Sequence, residues 1–480
     1  MTLRLFALVL LGALGLSAFA ADPDTTITLA ADVRASSQPL KHFWSKISAA
    51  GPASQALRAT WLDQWHIGVA ECGFGYVRLT GVFDPDLFLY RQDKGEEVYN
   101  FQYLDDLLDR ILALDAHPFF QLNFPPSALA SGKTAELMAR FVRHYDDRYG
   151  SPELRKWYFE VGQGGGTNYL ELYRATAAAI KGIDSALKVG GPAAAAGDEV
   201  QPADLLSFAQ TRGAALDFVS DHYFPPAGAS ADATRDHLRQ LRALVNGSGF
   251  PKAEIHVTEW SSSASPRDFV HDSLPAAAWI LRSNLESRDL VDSLAYQSFT
   301  DQAEDADGGR GIFHGGCGLI NYQGIVKPAF HAYRYLNALG DEVLQAVPGG
   351  IISRRKNSGR VVLLAYNYPA DQKTTLPVCA NLAAADQLTG QGAVRTLSIS
   401  LSGLRPGGQI LIEMLQSNHG NAVDAWEQMR SPAEPSRPAI VNLQSGAREM
   451  RIEYRNADDI GRFALSRDLD PWAVLLLREL

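Results

Sequence analysis

The sequence has few cysteines and no long hydrophobic run beyond its N-terminus. Its three cysteines, Cys72, Cys317 and Cys379, are too few for a disulfide framework, and their spacing suits no metal site. No segment after the first 20 residues is apolar for long enough to cross a bilayer. We therefore expect no bound metal, no membrane association and buried free thiols, of which at most one pair can form a bridge.

Positive charge is also scarce. The chain has 44 Lys and Arg against 54 Asp and Glu, which gives a formal net charge of −10. An acidic surface argues against nucleic acid or anionic membranes as partners. The first helix is not opened by a Gly-x-Gly-x-x-Gly sequence, so a dinucleotide-binding fold has no support and no cofactor is predicted. A composition of 46% hydrophobic and 20% charged residues is typical of globular proteins.

The N-terminus has the form of a cleavable signal peptide over residues 1–20. Arg4 precedes an apolar run at 5–16, and Ala18-Phe19-Ala20 precedes Ala21. The run is too short for a membrane anchor, and no cysteine follows it, which argues against a lipoprotein. The sequence therefore predicts export to the periplasm or the extracellular space.

Two domains are expected after the signal peptide. Over residues 21–344, short β-rich runs alternate with helical stretches, a pattern that favours a (β/α)₈ TIM barrel of the α/β class. The predicted strands are 41–44, 76–79, 118–123, 157–161, 188–191, 218–222, 255–260 and 294–299. Over residues 345–480 the runs are of strand type and separated by Pro, Gly and Asn, which predicts a C-terminal β-sandwich, with residues 26–29 as a further strand.

Two of the predicted barrel strands end differently. The strand at 255–260 carries Glu259 at its C-terminal tip, whereas the strand at 157–161 runs into Gly162-Gln163-Gly164-Gly165-Gly166. Catalytic groups of a βα barrel lie at these tips. A sugar-cleaving enzyme uses two carboxyl groups, and here only one tip has the expected carboxylate.

A series of motifs resembles glycoside hydrolase family 39, which includes β-xylosidases and α-L-iduronidases. They follow the family's order over most of the chain. They are His42-Phe43-Trp44-Ser45, Gly73-Phe74-Gly75-Tyr76-Val77-Arg78, Tyr99-Asn100-Phe101, Asp217-Phe218-Val219-Ser220-Asp221-His222, His256-Val257-Thr258-Glu259-Trp260, Ser265-Pro266-Arg267-Asp268, Phe313-His314-Gly315-Gly316-Cys317-Gly318-Leu319, Lys327-Pro328-Ala329-Phe330-His331-Ala332 and His419-Gly420-Asn421-Ala422 with Trp426 and Met429. In that family the catalytic carboxyls end barrel strands four and seven.

The resemblance implies that Glu259 is the nucleophile of a retaining mechanism, in which a carboxylate attacks the anomeric carbon. It also places Gly164 where the family has its acid/base Glu, because Phe159-Glu160-Val161 align without gaps. Since no Asp or Glu lies between Glu160 and Glu171, a shifted alignment supplies no acid. Loss of a general acid typically costs about 10²–10⁴-fold in rate.

Glu160 and Asp221 are the candidates for a substitute acid. Glu160 shares a strand face with position 164 but lies up to roughly 13 Å deeper, so a supporting role inside the barrel is the alternative. For Asp221 the alternative is a loop-capping carboxylate. The residues expected to bind substrate are Arg78, Gln163, His222, Trp260 and Gln297; for Arg78 and His222 a role as core residues stays open.

Other departures from the family pattern indicate a remodelled cleft. Thr80, Phe224 and Gln121 stand where the family has His, Tyr and Glu. Gly162 and Gln297 stand where the family has Trp, and the absence of the two indole rings removes stacking surface and widens the cleft. A longer or branched glycan fits such a cleft better than a terminal xylose.

Three functions are compatible with these residues. The first is an exported, β-xylosidase-like retaining hydrolase acting on a plant or bacterial polysaccharide or oligosaccharide, with an atypical or relocated general acid. The second is a glycan-binding pseudoenzyme, and the third is a transglycosylase. In each case the expected partner is a carbohydrate, and the sequence leaves the oligomeric state open.

Overall fold

The computed structural model describes residues 25–94, 96–163, 168–303 and 311–480. The predicted signal peptide at 1–20 and the predicted loss of the acid/base Glu at Gly164 therefore lie outside the described residues. Elsewhere the chain forms a parallel barrel followed by antiparallel β-structure.

Eight parallel strands form the barrel, each hydrogen-bonded to the next in chain order. The last strand lies against the first, which brings the sheet close to a closed cylinder. We number them β1 to β8: Ile47–Pro52, Tyr76–Thr80, His117–Leu122, Tyr158–Val161, Lys188–Ala194, Phe218–Tyr223, Glu254–Trp260 and Ser293–Tyr296. The predicted (β/α)₈ barrel is confirmed.

A long helix follows each barrel strand. In order, α1 to α8 are Ala59–Ile67, Gln102–Leu112, Thr134–Tyr149, Tyr169–Lys181, Pro202–Arg212, Ala233–Asn246, Leu274–Glu286 and Pro328–Ala338. Their apolar residues recur at helical spacing. In α2 the buried positions are Leu104, Leu107, Leu108 and Ile111, a stripe that packs against the outer face of the sheet. Short helices at Pro126–Ser131 and Ser151–Leu154 lie in the connections.

The first strand lies later than predicted. Residues 41–44 were expected to form it, but Phe43–Ser45 is a single 3₁₀ turn, and β1 begins at Ile47. The aromatic pair Phe43 and Trp44 is buried as packing side chains rather than as a strand. Strand β1 reads Ile-Ser-Ala-Ala-Gly-Pro, and its small residues carry little β-propensity in isolation.

The second domain consists of two facing sheets. One has seven strands, in spatial order Gln38–Pro39, Glu342–Val347, Gly350–Arg354, Val361–Tyr366, Val474–Glu479, Gln409–Leu415 and Arg451–Asn456. The other has three strands, Thr26–Asp32, Arg395–Ser402 and Phe463–Leu469. Apolar residues of both sheets form one buried cluster between them. The strand expected at 26–29 pairs in parallel with Arg395–Ser402, so the N-terminal segment belongs to this domain.

The C-terminal region is not made of strands alone. Helices occupy Leu382–Thr389, Val423–Gln428 and Arg437–Gly446, although the sequence predicted only strands there. The shorter parallel pair Ser298–Thr300 and Gly318–Ile320, and the hairpin Tyr90–Asp93 with Glu96–Tyr99, lie in barrel connections. The three cysteines are buried and unbridged. Within the described ranges, none of the helices has both the length and the apolar character that crossing a bilayer requires.

The inside of the barrel is layered. At its N-terminal end, an apolar floor is formed by Ile47, Phe119, Tyr158, Phe218 and Ala295. Above the floor, Arg78 and Glu160 form a buried ion-pair layer among uncharged inward-facing residues such as Thr258, and an open cavity lies beyond it. This order follows from strand alternation, because residues two apart point to the same face.

Candidate active site

The buried ion-pair layer is organised by Arg78 of β2. Its side chain is fully buried, and its Nε donates to Glu160 Oε2 while its Nη1 donates to Glu259 Oε1, both at 2.7 Å. The Thr258 hydroxyl donates to the other Glu160 oxygen at 2.9 Å. Arg78 Nη2 lies 3.2 Å from His222 Nε2. Residues from β2, β4, β6 and β7 thus meet on one guanidinium.

A β-bulge in β7 decides which way Glu259 points. Val257 pairs with Asp221 of β6, but Glu259 pairs with the next β6 residue, His222, so β7 has one extra residue there. Thr258 faces inward, as its bond to Glu160 shows, and regular alternation would turn the following residue outward. The bulge restores an inward direction one residue later, which is a known use of bulges near active sites.

The electrostatics keep Glu259 ionised. Burial favours the neutral acid, but the charge of Arg78 and the hydrogen bond that it donates hold the pKa of Glu259 below its usual value. Burial also lowers the pKa of His222, against the opposing influence of Glu259. Because an Arg N–H can only donate, His222 Nε2 accepts, and the neutral ring carries its proton on Nδ1, 3.7 Å from Glu259 Oε2. Arg78 is therefore the permanently charged cation beside Glu259.

An open cavity of about 600 Å³ lies above this layer and contains Glu259. The other lining residues come from the ends of β1, β2, β3 and β8 and from the loops that follow β2, β7 and β8. They are Gly51, Pro52, Thr80, Gly81, Asp84, Gln121, Asn123, Pro266, Arg267, Gln297, Ser298 and Cys317. Glu259 is 27% exposed there, whereas Glu160 is not exposed at all. The cavity thus reaches Glu259 and stops short of the buried pair beneath it.

Several predicted residues come together here. Arg78, Glu160, His222 and Glu259 form one network, and Gln297 lines the cavity beside it. The buried position of Glu160, with both oxygens bonded to protein groups, is that of a supporting carboxylate. A reacting sugar in the cavity does not meet it, so the structure gives no support to Glu160 as a substitute acid.

Two predictions require correction. Trp260 was expected to bind substrate, but the bulge turns it outward, where it is fully buried with its ring 4.5 Å from that of Trp279 on α7. Asp221 was a candidate acid, but it also faces outward. Its Oδ2 lies 2.6 Å from His237 Nε2 on α6, and the residue is 4% exposed. Both side chains join the barrel wall to its helices.

Gln163 lies at the rim and is tied to another loop. Its amide Nε2 donates to the Val200 carbonyl at 2.6 Å, and the Val200 amide donates back to its Oε1 at 3.3 Å. This pair joins the end of β4 to the loop after β5. Gln163 does not line the cavity that contains Glu259, so its expected contact with substrate stays a prediction.

Comparison with known proteins identifies the arrangement. The family model of glycosyl hydrolases family 39 matches residues 27–458. The chain belongs to glycosyl hydrolase family 39. A relative, the β-xylosidase of Geobacillus stearothermophilus, is 32% identical over 469 aligned positions, which cover 88% of this chain and 90% of that protein.

Solved structures agree with the family at the level of the whole fold. A GH39 enzyme from Xanthomonas axonopodis pv. citri superimposes with a TM-score of 0.84 at 27% identity, covering 95% of this chain and 97% of that one. A monomeric β-xylosidase from Caulobacter crescentus gives a TM-score of 0.83 at 27% identity, with 94% and 99% covered. The sequence-based assignment to family 39 is confirmed, and the chain is a glycoside hydrolase by family.

Sequence reasoning missed Asn123 and Asp84 as residues that line the cavity, and it named Gln121 only as a departure from the family pattern. Gln121 and Asn123 follow Phe119 at intervals of two, so alternation along β3 from the apolar floor to the mouth was the signal for both. Asp84 gave no such signal, because it lies in an irregular connection after β2. Among the described residues, no group of three or more His, Cys, Asp or Glu side chains is placed to hold a metal ion.

Proposed function

We propose that this family 39 member is an exported retaining glycosidase that uses Glu259 as its nucleophile. The bond cleaved is a β-glycosidic bond of a plant or bacterial polysaccharide or oligosaccharide. The signal-peptide pattern at 1–20 supports export, and the geometry around Glu259 supports the role of that residue.

The observation that carries the proposal is the unequal use of the two Glu259 oxygens. Oε1 accepts a 2.7 Å hydrogen bond from Arg78, which fixes the carboxylate plane. Oε2 accepts no hydrogen bond from any described residue and has only the His222 ring 3.7 Å away. An ionised carboxylate with one oxygen fixed and the other unengaged beside a cavity is suited to attack an anomeric carbon.

The reaction has two displacements. Glu259 Oε2 attacks the anomeric carbon as the leaving-group oxygen departs, which forms a glycosyl ester, and water then attacks the same carbon and releases Glu259. The transition states have oxocarbenium character. Arg78 is shared by two carboxylates, so this layer has a net negative charge when both are ionised, and that charge stabilises the positive sugar ring.

The shape of the cavity favours an extended substrate. No aromatic side chain lines it within the described part of the chain, so the stacking surfaces that enclose a single terminal sugar are missing there. Aryl β-xylosides are nevertheless the first substrates to test, because the relatives of Geobacillus and Caulobacter are β-xylosidases. Aryl glycosides of longer xylo-oligosaccharides are the second.

The test compares wild-type protein with Glu259→Gln on aryl glycosides whose leaving groups need little acid assistance. We expect wild type to release the phenol, and Glu259→Gln to lose at least about 10³-fold in kcat/KM because a covalent step loses its nucleophile. Glu136→Gln, an exposed position on α3, is the matched control. Glycan binding without phenol release by wild type would contradict the proposal in favour of a binding protein. Release with transfer only to sugar acceptors would favour a transglycosylase.

A further inference from the structure

The cavity that contains Glu259 contains a second carboxyl group. Among the described residues that line it, Glu259 and Asp84 are the two acidic side chains. Asp84 comes from the connection after β2, four residues beyond the strand end at Thr80. It therefore stands at the C-terminal face of the barrel, where catalytic groups of this fold lie.

A tight turn holds Asp84 over the end of β2. The Asp84 amide donates to the Gly81 carbonyl at 3.0 Å, and Gly81 has a positive φ of 62°. A Cβ at position 81 would lie 2.2 Å from Asp84 Oδ2. The carboxylate is thus folded back over the backbone at the strand end, and the glycine is required for that approach.

The Asp84 carboxylate is not used to stabilise the loop. Asp84 precedes the 3₁₀ turn Pro85–Leu87 as its N-cap, yet its side chain makes no capping hydrogen bond, although Asp at this position usually does. Its oxygens accept no hydrogen bond and form no ion pair with any described residue. By contrast, both oxygens of Glu160 are bonded within the barrel, and Asp221 pairs with His237.

The electrostatics distinguish Asp84 from Glu259. Partial burial, with the neighbouring charge of Asp86, raises the pKa of Asp84 above its usual value of 3.8, whereas that of Glu259 is lowered. The remaining charged side chain that lines the cavity, within the described ranges, is Arg267. Two carboxyls whose environments move their pKa values apart are the pattern of an acid and a nucleophile.

We propose that Asp84 is the general acid/base of this enzyme, replacing the carboxyl that the family places at the end of strand four. The inference rests on the proposed function of Glu259. Strand β2 is three strands from β7 in one direction around the barrel, and β4 is three strands away in the other. The acid has thus moved to the opposite side of the nucleophile at the same mouth.

Both half-reactions balance with this pair. In the first, Glu259 forms a bond to the anomeric carbon, the glycosidic C–O bond breaks, and the Asp84 proton passes to the leaving oxygen, giving an alcohol and an Asp84 carboxylate. In the second, a water oxygen bonds to the anomeric carbon, its proton returns to Asp84, and Glu259 leaves as a carboxylate. Asp84 is exposed to solvent, so water reaches it.

The test uses Asp84→Asn and two substrates of one sugar, a 2,4-dinitrophenyl glycoside and an alkyl glycoside. The alkyl leaving group needs a proton, so its kcat/KM should fall by about 10²–10⁴-fold, while that of the dinitrophenyl glycoside should fall by less than about tenfold. Azide should restore kcat on the dinitrophenyl glycoside and give a glycosyl azide of retained configuration, because it resolves the intermediate without a base. Asp84→Glu should keep part of the activity.

Asp93→Asn, on the exposed hairpin that follows, is the matched control and should behave as wild type. Equal losses on both substrates without azide rescue, or no loss on either, would overturn the assignment of Asp84. If Glu259→Gln abolishes turnover while Asp84→Asn does not affect it, only this inference fails. If wild type cleaves neither substrate, the proposed function fails with it.

Discussion

The guanidinium of Arg78 lies 2.7 Å from the Glu259 carboxylate and is fully buried. The same group lies 2.7 Å from Glu160, so one cation serves two acids on different strands. This arrangement fixes Oε1 of Glu259, a residue that lines the cavity, and leaves Oε2 without a hydrogen bond from any described residue. A substitution of Arg78 or Glu160, which lie beneath the cavity, should therefore alter the reactivity of Glu259.

Removing Arg78 should cost stability because it leaves a buried charge uncompensated. We expect Arg78→Met to lower the free energy of unfolding by about 3–5 kcal/mol. Adding Glu160→Gln to that variant removes the buried negative charge and should recover part of the loss. Urea unfolding of the single and double variants measures both effects.

Arg110→Met is the comparison for this experiment. Arg110 pairs with Asp106 on α2, with side chains 54% and 55% exposed, so its loss should cost no more than about 1 kcal/mol. Equal stabilities of Arg78→Met and the double variant would contradict the view that the loss comes from leaving Glu160 buried without its ion-pair partner.

The pH profile should reflect the lowered pKa of Glu259. The nucleophile must be ionised, so kcat/KM on a dinitrophenyl glycoside should decline only as the pH falls below 4.5, the usual value for Glu. The contribution of the Glu259 carboxylate to the free energy of unfolding also decreases as the pH falls. It is fully present above the pKa of Glu in the unfolded chain and is lost as the pH falls through the lower folded-state pKa.

Initial rates measured across the acidic pH range show where kcat/KM begins to decline, which is the acid limb of the profile. Because burial lowers the pKa of His222 from 6.5, no separate decline should arise from that residue as the pH falls through neutrality. An acid limb centred above 4.5 would mean that Glu259 is not held ionised by its neighbours.

Trp260 should act in stability rather than in binding. Trp260→Phe removes the larger ring from its contact with Trp279 and should lower the melting temperature while KM for the aryl glycoside stays unchanged. Gln297→Ala is the informative comparison, because Gln297 lines the cavity and should change KM with little effect on melting. A raised KM in Trp260→Phe at unchanged stability would restore the sequence-based expectation.

The contrast between Trp260 and Glu259 shows where sequence reasoning reached its limit. Motif order and alternating runs were enough to predict the barrel, the β-domain and Glu259 at a strand tip. The one-residue bulge in β7 has no composition of its own, yet it inverts the direction of every side chain after Thr258. Asp221 was misplaced for a different reason: alternation along β6 puts it on the face opposite Phe218 and His222, and its candidacy rested only on its place near the strand end. Asp84 depends on a turn in a loop, which no periodicity reports.

Even the smallest substitution of Gly162, to alanine, should lower kcat/KM. A Cβ there would lie 2.3 Å from Asn123 Oδ1 and 3.2 Å from Gln121 Nε2, so Gly162→Ala must displace side chains of the cavity wall. We expect kcat/KM to fall and stability to change by less than about 3 kcal/mol. The double variant Gly162→Ala/Asn123→Ala should relieve this contact and recover part of the lost kcat/KM. Steady-state kinetics of the single and double variants measure the recovery. No difference between the single and double variants would contradict the contact.

Glu259 should form the covalent bond to the sugar, and a slow substrate can trap it. A 2-deoxy-2-fluoro glycoside with a dinitrophenolate leaving group slows the second displacement, so the intermediate accumulates and intact-mass spectrometry detects it. We predict that wild type gains the mass of one fluoroglycosyl group, that peptide mapping places it on Glu259, and that Glu259→Gln gains none. An adduct on another carboxylate, or catalytic release of the phenol with no dependence on Glu259, would contradict the assignment of Glu259 as the nucleophile.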